Sequence, residues 1–261
     1  MRHWMRLPLK HFSPFNMAIK LHINGSRGRM GQALITCSQE FPDTTIGAAT
    51  DAGDDFTGGL AKSDACIDFS HHSALEAVLA ACVAGKKTLV IGTTGISDAG
   101  VAKIREASAH IPIVYSGNYS TGVNTLLWLT RKAAETLGPE FDLEITETHH
   151  RMKKDSPSGT AKMLAEALAE VRGLQYNTDV RHGRFGDVGA RTRGEIGMHA
   201  IRGGDVVGDH TVLFAALGER VELTHKASSR DIFARGAIRA ALWAHGKAPG
   251  LYDMRDVLGL K

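Results

Sequence analysis

The sequence predicts an α/β protein built around two sheets of different character, and three observations carry that prediction. Short apolar runs alternate with helical patterns through the first 120 residues, and a glycine-rich loop joins the first run to the first helix. Beyond residue 120 the strand-like segments alternate polar and apolar residues instead. Strand and helix in alternation imply βαβ units and a parallel sheet. Polar–apolar alternation describes strands with one buried and one solvated face, hence a mixed or antiparallel sheet.

Ile19–Ile23 reads as the first strand, followed by a helix with Met30, Ala33, Leu34 and Cys37 at helical spacing. Thr45–Ala49, Ala65–Phe69, Lys87–Ile91 and Ile111–Tyr115 are further strands of that sheet, with Ala-rich helical segments between several of them. The alternating strands are Asp142–Glu147, Glu195–Arg202 and Glu219–Lys226, whose polar faces are left to solvent or to another subunit. An amphipathic helix begins after Pro157-Ser158, with Ala161, Leu164, Leu168 and Val171 on one face and Gly173 as its C-cap. The Gly/Arg-rich stretch between residues 172 and 194 reads as a long, mobile loop. Residues 202–210 (RGGDVVGDH) read as a hairpin turn, and Asp231–His245 as a last helix before a short tail.

A length of 261 residues accommodates one or two domains, and 43% hydrophobic with 23% charged residues is ordinary for a globular enzyme. The formal charge of +3 has a local origin: residues 1–16 carry Arg2, Arg6 and Lys10 and no acid, and the rest carries 28 basic and 28 acidic residues. A neutral body argues against nucleic acid as a partner. No apolar run approaches the roughly 20 residues that cross a bilayer, so no membrane partner is expected. Residues 1–16 read as an extension or an upstream start, with the folded chain beginning near Met17. Cys37, Cys66 and Cys82 form no CxxC pair and no Cys/His ligand spacing, which fits free thiols in a reducing cytoplasm and no metal.

The order strand, Gly25-Ser26-Arg27-Gly28-Arg29-Met30-Gly31, helix is the context in which a glycine loop binds a dinucleotide. Gly25 permits the tight turn, Gly28 admits a pyrophosphate to the backbone, and the helix directs free N–H groups and its positive dipole end at the phosphates. Asp51, twenty residues past Gly31, is placed to accept hydrogen bonds from an adenosine ribose. Ala52-Gly53 follows it with no cation for a 2′-phosphate, which favours NADH over NADPH, although Arg29 or a residue distant in sequence is an alternative source of charge. Gly92-Thr93-Thr94-Gly95 and Ser116-Gly117-Asn118-Tyr119 each follow a strand of the same sheet, at the carboxyl ends where open α/β sheets bind ligands.

The chemical centre is the run from Glu147 to Ala161, which gathers His149, His150, Lys153, Lys154 and the helix start Ser158-Gly159-Thr160. A helix N-terminus with free amides, flanked by Lys153 and His150, suits a substrate bearing carboxylates. Histidine titrates near neutrality and can deliver a proton after hydride transfer. Adjacent strand residues point to opposite faces, so His149 and His150 line one site only if the strand ends there and the chain turns. The adjacent histidines lack the i, i+4 ligand spacing, and neighbouring cations oppose a divalent ion. The cations of Thr224-His225-Lys226 through Arg230 either close the site or decorate a junction.

Taken in order, GxxGRMG, DFS, GTTG, SGNYSxGVN, ExHHxxKxDxPSGTA, RGGDVVGDHT and ERVELTHKASSR resemble the dihydrodipicolinate reductase family from about Met17 onward. The resemblance implies a Rossmann-like dinucleotide-binding domain, residues 17–120 with 231–261, and a second α+β domain, 121–230, whose open mixed sheet is used for oligomerisation. It implies NAD(P)H-dependent reduction of 4-hydroxy-tetrahydrodipicolinate, a small cyclic dicarboxylate, in diaminopimelate and lysine biosynthesis by a cytoplasmic homotetramer. By the same resemblance, Gly25 to Met30 hold the pyrophosphate, Asp51 the ribose, and Gly92, Thr93, Thr94 and Ser116 to Tyr119 line the nicotinamide. His149 then corresponds to the proton donor, Lys153 to the second catalytic residue, and His150, Gly159 and Thr160 to substrate carboxylate contacts. Three departures stand out: a short segment between Asp51 and Cys66, Arg27 where small residues are frequent, and Ala52 where an NADPH-favouring Arg often sits. Rival readings are another two-domain amino-acid-pathway dehydrogenase and a non-catalytic dinucleotide sensor; neither accounts for the intact histidine–lysine block.

Overall fold

A computed structural model describes residues 18–260; the expected 1–16 extension lies outside them. The first half forms β1 (Ile19–Asn24), α1 (Arg29–Ser38), β2 (Thr44–Thr50), α2 (Phe56–Ala61), β3 (Ala65–Asp68), α3 (Leu75–Ala84), β4 (Thr88–Ile91), α4 (Asp98–Ala107) and β5 (Pro112–Tyr115). The second half forms α5 (Thr121–Leu137), β6 (Asp142–His149), α6 (Gly159–Arg172), α7 (Tyr176–Asp179), β7 (Val180–His182), β8 (Ile196–Arg202), β9 (Gly208–Ala216) and β10 (Glu219–Ala227). The chain then closes with α8 (Asp231–Ala244), β11 (Gly250–Tyr252) and α9 (Met254–Leu258).

The first sheet is parallel throughout, with strand order β11-β5-β4-β3-β1-β2. Leu21, Ile23, Ile67 and Val90 are fully buried on its strands, packed with α1 and α8 on one face. Cys66, Leu89, Ile91 and Ile113 are fully buried in a second cluster with Leu79 of α3 and Ile104 of α4 on the other face. Each such aliphatic side chain contributes about 2 kcal/mol by leaving water. A sheet covered on both faces explains why these strands are continuously apolar. The order reverses between β1 and β3, and the crevice outside their carboxyl ends is where this architecture binds ligands. The tail was legible only as a tail, yet Gly250–Tyr252 adds a sixth strand beside β5. Cys37, Cys66 and Cys82 are free and buried.

The second sheet is mixed, with order β10-β9-β6-β8-β7. Leu143 and Ile145 of β6, Val212 and Phe214 of β9, and Ile196 and Met198 of β8 pack against Leu164 and Leu168 of α6 and Leu126 of α5. The opposite face carries Glu144, which Arg184, Arg191 and His199 meet. Two expectations need correction here. Residues 202–210 are not a hairpin turn: β8 and β9 flank β6 on opposite sides, so the connection crosses the end of β6, and Gly208-Asp209-His210 opens β9. The stretch 172–194 is not one unstructured loop either. It begins with α7 and β7, and Arg184 and Arg191 anchor it to Glu144 of β6 at 2.9 Å each. Arg184 also pairs with Glu195 at 2.5 Å.

Candidate active site

The glycine loop is built as tightly as its spacing suggests. Gly25 holds φ at +81°, and a Cβ there would meet the Phe69 carbonyl at 2.6 Å. A Cβ on Gly31 would overlap the Gly25 carbonyl, so the loop and the first turn of α1 lie against one another. No side chain caps α1, and no acid occupies its first turn. The amides of Arg29, Met30 and Gly31, ahead of Gln32, which itself bonds the Gly28 carbonyl, therefore form an open anion-binding end. A close backbone approach, an uncapped helix start and a crevice at the strand reversal together fit a dinucleotide pyrophosphate.

After β2 the Arg27 amide donates to the Asp51 carboxylate at 2.8 Å, as does the Ala52 amide. Hydrogen bonds from Ala52 and Arg27 hold the Asp51 carboxyl below the usual range, so it stays an acceptor. A cation stands here after all: the Arg27 guanidinium lies 2.8 Å from both oxygens of Asp54. It comes from the glycine loop, where the Asp51-Ala52 sequence does not reveal it.

Beneath the crevice runs a buried polar network. Asn24 Nδ2 donates to Asp68 Oδ1 at 2.6 Å, Ser70 Oγ to the same oxygen at 2.6 Å, and Thr93 Oγ1 to Asp68 Oδ2 at 2.7 Å. One fully buried carboxylate thus ties the ends of β1, β3 and β4 together. Phe69 covers Gly92 so closely that a Cβ on Gly92 would overlap its ring. Thr94 is exposed beside it, and Ser116, Gly117 and Asn118 lie at the end of β5. Tyr119 is drawn inward: its hydroxyl donates to the carbonyls of Ile91 and Val114, at 2.8 and 2.9 Å, so it supports the loop from behind.

The second half meets this surface through Asn118, whose Nδ2 donates to Thr160 Oγ1 at 3.3 Å. β6 ends at His149, and residues 150–153 turn, which frees His150 from strict alternation. Ser158 caps α6 by accepting from the Ala161 amide at 3.2 Å, and the Lys162 amide bonds its carbonyl. The amides of Gly159 and Thr160 belong to the first turn, where the helix supplies no acceptor. Lys153 is ion-paired to Asp155 at 2.8 Å, with its side chain 19% exposed.

His149 sits at the centre. Its Nδ1 lies 2.5 Å from Glu147 Oε2, and the neighbouring His210 ring is 5.2 Å away, edge to face. His210 is buried and bonded to Ser158 Oγ; burial, with the charge of His149 next, pulls its pKa down to about 4, so it is neutral. Glu147 is fully buried. Burial pushes its carboxyl up, but hydrogen bonds from Arg202, His149 and the Ser158 amide outweigh this and hold it below the usual range. Neither Arg202 nor the burial of Glu147 was anticipated. The two-residue spacing of Glu147 and His149 on one strand does place them on one face. No group of three His, Cys, Asp or Glu side chains suited to a metal occurs among the described residues. No helix among them is long and apolar enough to cross a membrane.

Comparison with known proteins identifies the family. The family model described as dihydrodipicolinate reductase, N-terminus, matches residues 19–119, and the corresponding C-terminus model matches residues 122–258. A 4-hydroxy-tetrahydrodipicolinate reductase from Akkermansia muciniphila is 55% identical over 242 residues, covering 93% of this chain and 98% of that protein. One from Hahella chejuensis is 45% identical, covering 93% and 99%. Among solved structures, the dipicolinate-bound dihydrodipicolinate reductase from Paenisporosarcina sp. TG-14 shares the fold with a TM-score of 0.76 at 24% identity, covering 91% of this chain and 98% of that one. Two family models spanning most of the chain and a relative 55% identical over 93% of it show that the chain belongs to the dihydrodipicolinate reductase family.

Proposed function

We infer that the chain is an NAD(P)H-dependent oxidoreductase that reduces 4-hydroxy-tetrahydrodipicolinate to tetrahydrodipicolinate in diaminopimelate and lysine biosynthesis. The observation that carries this reading is the union of an uncapped helix start after a glycine loop with the start of α6, whose Ser158 amide bonds the same Glu147 that holds His149. Loss of the substrate's 4-hydroxyl as water would leave a conjugated imine, and a nicotinamide held in the crevice would supply hydride to its ring carbon. His149 protonates the reduced substrate from Nε2, because its Nδ1 is engaged by Glu147. Lys153, His150 and the Gly159 and Thr160 amides hold the two carboxylates and offset negative charge. For Lys153 to reach substrate it exchanges Asp155 for a substrate carboxylate.

Gly25, Ser26, Arg27, Gly28, Arg29 and Met30 would hold the pyrophosphate, Asp51 the ribose, and Gly92, Thr93, Thr94, Ser116, Gly117 and Asn118 the nicotinamide side, with Tyr119 fixing their loop. We assign NADH as the preferred cofactor, since Asp51 accepts from ribose hydroxyls while Asp54 neutralises Arg27. The half formed by residues 17–120 with 231–261 is read as the cofactor domain, and 121–230 as the substrate domain. The face of the mixed sheet opposite α6 is read as the seat of a cytoplasmic homotetramer.

His149→Gln tests the site. Its kcat is expected to fall by about 100-fold or more with a smaller change in KM, as for loss of a general acid. Wild-type turnover with substrate generated in situ would remove His149 from the mechanism.

A further inference from the structure

We propose that Glu147 and Arg202 act as one positioning unit, which fixes the His149 proton donor and the carboxylate-binding helix start in a common register. This rests on the reductase reading and on His149 as its acid. Four donors converge on the buried Glu147 carboxylate. They are His149 Nδ1 at 2.5 Å, Arg202 Nη1 and Nη2 at 2.8 Å each, and the Ser158 amide at 3.1 Å. They come from β6, β8 and the N-cap of α6, so a single side chain joins three elements.

A buried carboxylate held ionised accepts hydrogen bonds and donates none. The proton between Glu147 and His149 therefore resides on Nδ1, and Nε2 is the nitrogen that loads and releases a proton. Nε2 faces Gly208: a Cβ built there would lie 3.0 Å from it, so the glycine leaves that nitrogen room. Arg202 has two tasks. It neutralises Glu147 while its Nη1 shares Oε2 with His149 Nδ1, and its Nη2 also donates to the Asp155 carbonyl at 2.8 Å. That second bond holds the turn between Lys153 and Ser158. Tautomer, helix start and turn thus share one hub, although Glu147 and Arg202 make no contact at Nε2.

The test begins with the wild-type holoenzyme labelled with 15N-histidine, with the His149 resonances assigned by their loss in His149→Gln. At a pH where the imidazole is neutral, the Nδ1–H tautomer is expected; a dominant Nε2–H tautomer overturns the proposal whatever the variants do. Glu147→Gln is then expected to lower kcat about 100-fold, mix the two tautomers, and change KM and the Kd for dipicolinate less than about fivefold. Unchanged kcat with an unchanged 15N pattern overturns the positioning role. Equal losses in kcat and dipicolinate affinity also overturn it, because they signal a collapsed site. If Glu147→Gln does not fold, the wild-type tautomer decides alone. Survival of turnover in His149→Gln is a different failure, that of the acid assignment itself.

Discussion

At Asp54 a single carboxylate engages a guanidinium from the glycine loop. Arg27, whose amide also bonds Asp51, the residue we propose for the ribose, is held by both Asp54 oxygens. Removing that partner frees a fork of donors suited to a 2′-phosphate. Asp54→Ala is expected to shift the ratio of NADPH to NADH binding about tenfold toward NADPH, the scale of one charge-assisted hydrogen bond. Calorimetry with each nucleotide checks it, and an unchanged ratio would show that Arg27 does not reach the 2′ position. The case also marks how far local sequence reaches. Asp51 and Ala52 are adjacent and legible, whereas Arg27 arrives from 24 residues upstream and Asp54 had no assigned partner.

The same division holds among the elements. Strands of the parallel sheet were legible to within a residue or two, because burial on both faces leaves uninterrupted apolar runs such as Leu89-Val90-Ile91. The helix start at Ser158 was legible from its capping residue and its apolar stripe. β9 was masked by its polar opening, Gly208-Asp209-His210, and β11 by its three-residue length. Helix α8 shows a subtler limit. Its apolar pattern was plain, but not the need for glycine at position 236, where a Cβ would overlap the Tyr119 carbonyl. That carbonyl belongs to the loop whose tyrosine hydroxyl bridges β4 and β5. Gly236→Ala is therefore expected to cost about 1–3 kcal/mol through overpacking and to weaken NADH binding, since the loop must move away from the helix. Denaturant titration and NADH fluorescence report the two effects; a stable variant with weakened binding is excluded by this account, because both follow from one displacement.

Across the whole molecule, two buried histidines couple folding to pH in the same direction. His22, fully buried in β1 and 2.6 Å from Thr50 Oγ1, has its pKa lowered by burial from 6.5 to about 4. His210 in the second sheet is lowered to about 4 as well, chiefly by burial. The unfolded chain takes up these protons near pH 6.5, and the folded protein only near pH 4. Between those values the unfolded state binds more protons, so acid favours unfolding. The contribution is complete above pH 6.5 and is lost as pH falls through 4. Glu144 extends the trend: burial raises its carboxyl, but Arg184, Arg191 and His199 outweigh this and bring it from 4.5 to about 2. Its contribution is complete above pH 4.5 and is lost below. From pH 7 to pH 5 the two histidines alone are expected to remove about 4 kcal/mol. Because one lies in each sheet, both halves weaken over the same window. His22→Gln removes one titration, so the loss between pH 7 and pH 5, measured by urea unfolding at each pH, should shrink to about 2 kcal/mol. An equal loss in the variant and the wild type would mean that His22 does not carry the linkage.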